Sequence, residues 1–266
     1  MTEENPQENE TVEEESIAPE IPEETSGEAQ PQVIRVTMKE SRPVVVYILL
    51  GFTVLVYLAQ WITKKKFGVD IPLDFGAKFG PLIRLYHQYW RLITPVFLHG
   101  GILHLVVNMY SLYSIGPAME SVYGHWGFLF LYLISGFAGN VLSLVASPNT
   151  VSVGASTALF GLIAAHAVFI LKNREVLRDS SRALRSVLSV IALNLAIGLS
   201  SGIDNWGHLG GLIGGAIMAW GAGPVLGIIP DPETRTLSLG DTLPKQTRVI
   251  TFALTFVFFA LMAYVL

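Results

Sequence analysis

Residues 121–171 read SVYGHWGFLFLYLISGFAGNVLSLVASPNTVSVGASTALFGLIAAHAVFIL, 51 positions without one Asp, Glu, Lys or Arg. A helix crosses the hydrocarbon core of a bilayer in about 20 residues, so this run is too long for one span and long enough for two. The cluster Ser147, Pro148, Asn149, Thr150 supplies the turn between them. On either side, residues 43–63, 92–119, 186–203, 205–230 and 249–266 are further stretches free of charge, each long enough to be read as a span. The reading is an all-α, polytopic membrane helix bundle with seven spans.

Composition agrees with a lipid-embedded chain. Of the 266 residues 51% are hydrophobic and only 14% charged, where a soluble domain carries roughly a quarter. The charge is also segregated: residues 1–40 hold 12 of the 21 acids and two of the 17 bases, leaving 9 acids against 15 bases for the rest. The formal charge of −4 therefore describes a tail and gives no support to nucleic-acid binding. Residues 1–41 mix Glu with Pro6, Pro19, Pro22 and Pro31 and contain no aromatic, so they read as an acidic, disordered cytoplasmic tail. They lack the basic start and apolar run of a signal peptide, and their acids argue against a transit peptide. Residues 42–230 then form the core, and 231–266 a linker and the seventh span. With no cysteine, disulfides and thiolate chemistry are excluded.

Cytoplasmic loops collect Lys and Arg. Placed by side, eleven bases fall with the N-terminus, and the six others (Lys64, Lys65, Lys66, Lys78, Arg84, Arg91) lie together in loop 64–91. The expectation is a cytoplasmic N-terminus, with this loop and its aromatics lying in the outer interface.

Polar side chains inside spans are expensive and point to function by default. Span two carries His99, His104 and Asn108; span four opens with Gly154, Ala155, Ser156; span six opens with Asp204, Asn205, Trp206, Gly207, His208. With alternating spans, all three sets come to one depth near the outer face. Ser156 can be a helix cap, or a nucleophile whose oxyanion is stabilised by the positive end of its helix. A nucleophile needs a base, and neutral His208 can take the serine proton and return it to a leaving amine. At 100° per residue, Gly211 and Gly215 lie about 60° and 20° from His208, a small-residue stripe suited to close helix contact. Gly161, Ala164 and Ala165 offer a matching surface on span four. His104 and Asn108, four apart, share a face from which both can donate to an oxyanion. His residues four apart can instead bind zinc, but His99 and His104 are five apart and the zinc-protease His-Glu pattern is absent. Asp204 reads as a cap for its helix and not as a third catalytic member.

These residues resemble the rhomboid family of intramembrane serine proteases. WRLITPVFLHGGILHLVVN (90–108) is similar to the family's Trp-Arg loop and His-x4-His-x3-Asn helix, GASTALFG (154–161) to its nucleophile motif, and GHLGG (207–211) to its base motif. The resemblance implies a six-helix catalytic core plus one C-terminal helix, with Ser156 as nucleophile and His208 as base. It implies an oxyanion hole from His104, Asn108 and the Ser156 N–H, and supporting places for His99, Gly154, Phe160 and Gly211. Trp90 and Arg91 would be structural. No metal or cofactor is implied, and single-span membrane proteins are the implied substrates. Two positions depart from the usual pattern: Thr157 where Gly is most typical, and Phe160 where Tyr is common. A β-branched Thr157 is expected to narrow the pocket beside the nucleophile. Two other classes stay open at this level, a non-cleaving membrane-protein binder of the same fold and a transporter, the latter weakened by the lack of inverted repeats and paired intramembrane acids.

Overall fold

A computed structural model of the chain describes residues 42–200, 202–230 and 237–265. The acidic tail lies outside the described residues. The fold is a polytopic helical bundle, with helices α1 (Val44–Phe67), α2 (Ile71–Gly76), α3 (Gly80–Tyr86), α4 (Ile102–Ala146), α5 (Ser156–Lys172), α6 (Ser180–Gly198), α7 (Asn205–Ala222) and α8 (Lys245–Val265). Four of them, α1, α4, α6 and α8, are long and apolar enough to cross a membrane by length and composition, and α5 is a shorter apolar helix. Outward faces of α1, α6 and α8 expose Leu55, Leu193, Leu254 and other large apolar side chains, as a lipid-facing surface requires.

At the centre α4, α5 and α7 pack on one another through small residues. A Cβ added at Gly215 would lie 2.3 Å from the Gly161 carbonyl oxygen, and one at Gly210 would lie 2.7 Å from the Ala138 oxygen. Backbones this close leave room for nothing larger than glycine, and the contact is one of dispersion between main chains, not of hydrophobic side chains. The larger core residues, among them Leu112, Phe128, Leu131, Leu162 and Met218, fill the space around this seam.

Several boundaries differ from the sequence reading, each for a local reason. The stretch 92–119 does not begin as a helix: 3-10 turns occupy Tyr89–Leu92 and Thr94–Phe97, and α4 starts only after Gly100 and Gly101. The break between the second and third spans falls not at Glu120 but at Gly124, whose φ of 71° and ψ of 167° kink α4 into two arms. Glu120 is fully buried because it has a structural task. Pro43 precedes α1 and provides no side-chain cap, so the first N–H groups of α1 would be orphans. The Glu120 carboxylate accepts from Val45 N at 2.9 Å and Val46 N at 2.8 Å, and also pairs with His125 Nδ1. A negative charge at a helix N-terminus is favourable there. Residues 205–230 are not all helix either. α7 ends at Ala222 before Gly223 and Pro224, and β1 (Leu226–Pro230) pairs antiparallel with β2 (Leu237–Asp241). Asn173 anchors this hairpin, its Oδ1 accepting from Leu226 N and its Nδ2 donating to the Pro224 carbonyl.

The segment between α1 and α4 is a folded platform. Trp90 stacks on Phe75 and donates its indole N–H to the Phe75 carbonyl. Arg91 is buried, its guanidinium donating to the Asp74 and Ala77 carbonyls and to Gln88 Oε1. Burial holds its pKa below the usual arginine value, with Asp74 opposing the shift. Lys78, fully buried, donates its ammonium to the Ser147 and Thr150 carbonyls at 2.9 Å and to that of Ser143 at 3.4 Å. These carbonyls lie at the C-terminus of α4 and in the loop that follows it, those of Ser143 and Ser147 also accepting from the Ser147 and Thr150 N–H groups. Burial brings the Lys78 pKa down to about 8, with Asp204 pulling the other way. Its backbone also pairs with Ser152 in both directions, at 3.0 Å. The platform thus grips the loop that leads into α5.

Candidate active site

That loop delivers residues 152–156 to the head of α5. Gly154 has φ 125°, a conformation that L side chains rarely adopt, and its N–H donates to the Pro95 carbonyl at 2.9 Å. A Cβ at this position would lie 2.6 Å from His104 Cε1, so glycine also lets the His104 ring lie against the loop. Ser156 is the first residue of α5 and its hydroxyl makes no capping bond. Instead Ser156 Oγ lies 2.9 Å from His208 Nε2, across the seam between α5 and α7.

His208 is buried at 8% exposure and its ring stacks on Phe160, with centroids 4.3 Å apart and planes at 21°. Its Nδ1 has no hydrogen-bond partner. Asp204 is engaged elsewhere: it caps α7 by accepting from Gly207 N at 2.9 Å, and its other oxygen accepts from the Ser143 hydroxyl. Among the described residues the pair therefore has no carboxylate behind it, and the imidazole is oriented by ring stacking and by its helix. Proximity of Ser156 to His208 follows from Gly211, where an added Cβ would lie 2.0 Å from the Thr157 carbonyl oxygen.

His104, on the first turn of α4, is half-buried over Gly154, close to the serine. Asn108 is buried one turn further on, and its Nδ2 donates to the His104 carbonyl at 2.8 Å, which leaves the amide a second N–H. His99 stands edge-on to His104 with centroids 5.1 Å apart, and neither of its ring nitrogens has a partner. Its backbone is clamped by a residue that sequence reasoning passed over: Gln60 of α1 accepts from His99 N at 3.0 Å and donates to His99 O at 3.2 Å and to Asp70 at 3.0 Å. The signal for it was available, since Gln60 is a lone amide in an otherwise apolar span.

Thr157 does not face the reacting hydroxyl's pocket. It is 4% exposed, and its methyl is turned into the helix seam, 3.0 Å from where a Cβ at Gly139 would stand and 3.1 Å from one at Gly207. A side chain at the second position of α5 points about 100° away from one at the first, which takes it out of the site and between α4 and α7.

A bundle of membrane helices with a serine hydroxyl and an imidazole in hydrogen-bond contact at its polar end defines the chain as a polytopic membrane protein with the makings of a nucleophilic site. Residues 86–224 match the family model of the Rhomboid domain. The chain is 36% identical over 193 residues to Rhomboid protease GluP of Bacillus subtilis (strain 168), covering 72% of this chain and 37% of that protein. It is 44% identical over 129 residues to RHOMBOID-like protein 6, mitochondrial, of Arabidopsis thaliana, covering 48% of this chain and 42% of that one. Similarity to Rhomboid-like protease 3 of Toxoplasma gondii is 38% over 148 residues, or 54% and 55% of the two chains. The matches thus span about half or less of each relative's own length. The chain belongs to the rhomboid family.

Proposed function

We propose that the chain is an intramembrane serine endopeptidase that hydrolyses peptide bonds in or near the membrane-spanning segments of single-span proteins. The observation that carries the reading is the 2.9 Å contact between Ser156 Oγ and His208 Nε2. In the proposed reaction the Ser156 oxygen attacks the scissile carbonyl carbon while His208 takes the hydroxyl proton. The resulting oxyanion is met by the free N–H groups at the start of α5, the Ser156 N–H among them, and by His104 and the second N–H of Asn108. Protonated His208 passes its proton to the leaving amine as the C–N bond breaks, leaving an acyl-enzyme. Water then attacks the ester carbonyl, His208 again accepting its proton, and Ser156 is regenerated. Family membership and the protease names of two relatives, from Bacillus subtilis and Toxoplasma gondii, support this assignment.

The distribution of bases supports a cytoplasmic N-terminus and a dyad opening to the outer face; a bacterial plasma membrane is the setting this reading proposes, from the acidic character of residues 1–41, which argues against a transit peptide. The outward face of α4 beside His104, with Leu103, Val107 and Tyr110 exposed, offers a substrate helix an apolar approach. The test is reconstitution with a panel of single-span proteins in proteoliposomes, comparing wild type with Ser156→Ala. Cleavage lost in a variant that melts like wild type supports the assignment. Cutting that survives in Ser156→Ala refutes it. No cutting by either protein, with substrates retained equally by both, favours a non-cleaving binder of the same fold.

A further inference from the structure

Away from the dyad, the second arm of α4 and helix α8 diverge to leave an apolar cleft of about 780 Å³. Its walls include Trp126, Phe130, Phe137, Phe252 and Phe256. From Lys245 to Phe256 the cleft runs 11 residues along α8, about 16 Å at 1.5 Å per residue, which matches half of a hydrocarbon core about 30 Å thick. At the start of α8 the cleft is lined by the bases Lys245 and Arg248. Lys245 is exposed on the first turn of α8, and Arg248 one turn on is half-buried. Arg248 Nη2 pairs with Asp241, while its Nε is buried without a hydrogen-bond partner among the described residues. Beside it the Tyr123 hydroxyl, on a residue 4% exposed, also has none. Among the described residues Asp241 is the acid paired with Arg248, and its Oδ1 is taken up by Val225 N and Leu243 N. His125 at the rim is held by Glu120.

Two buried donors without acceptors, a free ammonium and an apolar slot one leaflet deep are complementary to a single kind of ligand. A buried donor without an acceptor is costly, and a guanidinium suits phosphate oxygens. We propose that this cleft is a binding site for one phospholipid with an anionic headgroup, its phosphate at Lys245, Arg248 and Tyr123 and an acyl chain along α4 and α8. The site is separate from the Ser156–His208 chemistry and holds whether or not the protein cuts.

The full chain is purified in dodecyl maltoside, offered equal amounts of dioleoylphosphatidylglycerol and dioleoylphosphatidylcholine, and its retained lipid counted by native mass spectrometry. One phosphatidylglycerol per chain is expected in preference to phosphatidylcholine. Lys245→Gln should reduce that preference about fivefold, the effect of one cation near an anionic lipid. Ala253→Trp, which fills the cleft without touching a charge, should abolish retention of both lipids, and glycerol 3-phosphate at the same concentration should not compete. Equal retention of the two lipids by wild type would overturn the proposal, as would retention that survives Ala253→Trp. Competition by glycerol 3-phosphate would replace the lipid with a free phosphate site, and a dimer cross-linked through Ala253→Cys would replace it with a second copy of the chain. Arg248→Lys, which keeps the charge and loses the Nε donor, should fold and bind with intermediate preference; a wild-type level would remove the guanidinium from the account.

Discussion

Replacing Gly211 by Ala sets a methyl carbon 2.0 Å from the Thr157 carbonyl oxygen and 2.9 Å from its carbonyl carbon. Both atoms are backbone, so no rotamer change relieves the overlap. Ordinary contact begins near 3.4 Å, so α5 and α7 must separate by about 1.4 Å at this level. Gly211 lies three residues beyond His208, and Thr157 directly follows Ser156. The opening is therefore transmitted to a pair now 2.9 Å apart, which moves beyond hydrogen-bond reach. Overpacking of this kind costs about 1–3 kcal/mol of stability, and misplacement of a reacting pair by about 1 Å costs on the order of 100-fold in rate. The assay is the second-order rate of fluorophosphonate labelling, measured on protein that is monodisperse and has a defined melting transition. Gly51→Ala, at a position with nothing within 4 Å of the added methyl, is the control and should label like wild type. Labelling of folded Gly211→Ala within about threefold of wild type would refute the idea that glycine contact sets the dyad.

Further outcomes follow from the same geometry. Gly154→Ala should cut labelling by more than about 100-fold, since it combines a disfavoured φ of 125° with a 2.6 Å overlap on His104. Glu120→Ala leaves two intramembrane N–H groups of α1 without an acceptor and should lower unfolding stability by about 2–4 kcal/mol in a denaturant titration. Thr157→Gly empties a space in the α4–α7 seam; it should cost roughly 1 kcal/mol of stability and leave the labelling rate within a few-fold of wild type. Lys78 gives a pH signature. Its pKa is about 8 in the folded chain and near 10.5 when exposed, so between those values the unfolded chain binds more protons. Stability should accordingly rise from pH 8 toward pH 10.5, by at most about 3 kcal/mol, and the rise should be absent in Lys78→Met.

Charge-free stretches locate the long apolar helices, because lipid excludes charge from span interiors, but not their ends: α6 begins at Ser180 and α8 at Lys245, among charged residues, and α2 and α3 lie in the stretch read as a loop. The turn at Ser147–Thr150 separates α4 from α5 as read. The same rule misjudged Glu120, because a charge is also tolerated inside a bundle when it satisfies several backbone donors at once, a relation 75 residues long in the chain. Lys78 was counted as an interfacial base on the same grounds, yet it closes the end of α4 with three carbonyl contacts. At the site, the glycine stripe at Gly211 and Gly215 and its partner at Gly161 were legible as periodicity, and they are where α5 and α7 touch. The direction of Thr157 was not, since only the placement of α4 against both helices shows that its methyl has a slot to fill. Gln60 stands out in the sequence as a lone amide in an apolar span, but its partners do not: two of its three hydrogen bonds are to the backbone of His99, which carries no sequence signature.

The central claim is that Ser156 is made nucleophilic by His208. Its most direct test is to treat the detergent-solubilised protein with a fluorophosphonate probe and locate the adduct by peptide mass spectrometry, in wild type, Ser156→Ala and His208→Ala. The account predicts a single adduct on Ser156, lost in both variants while their melting transitions are retained. Wild-type protein that stays unlabelled while an active rhomboid protease labels in parallel, or an adduct that forms equally well without His208, would contradict it.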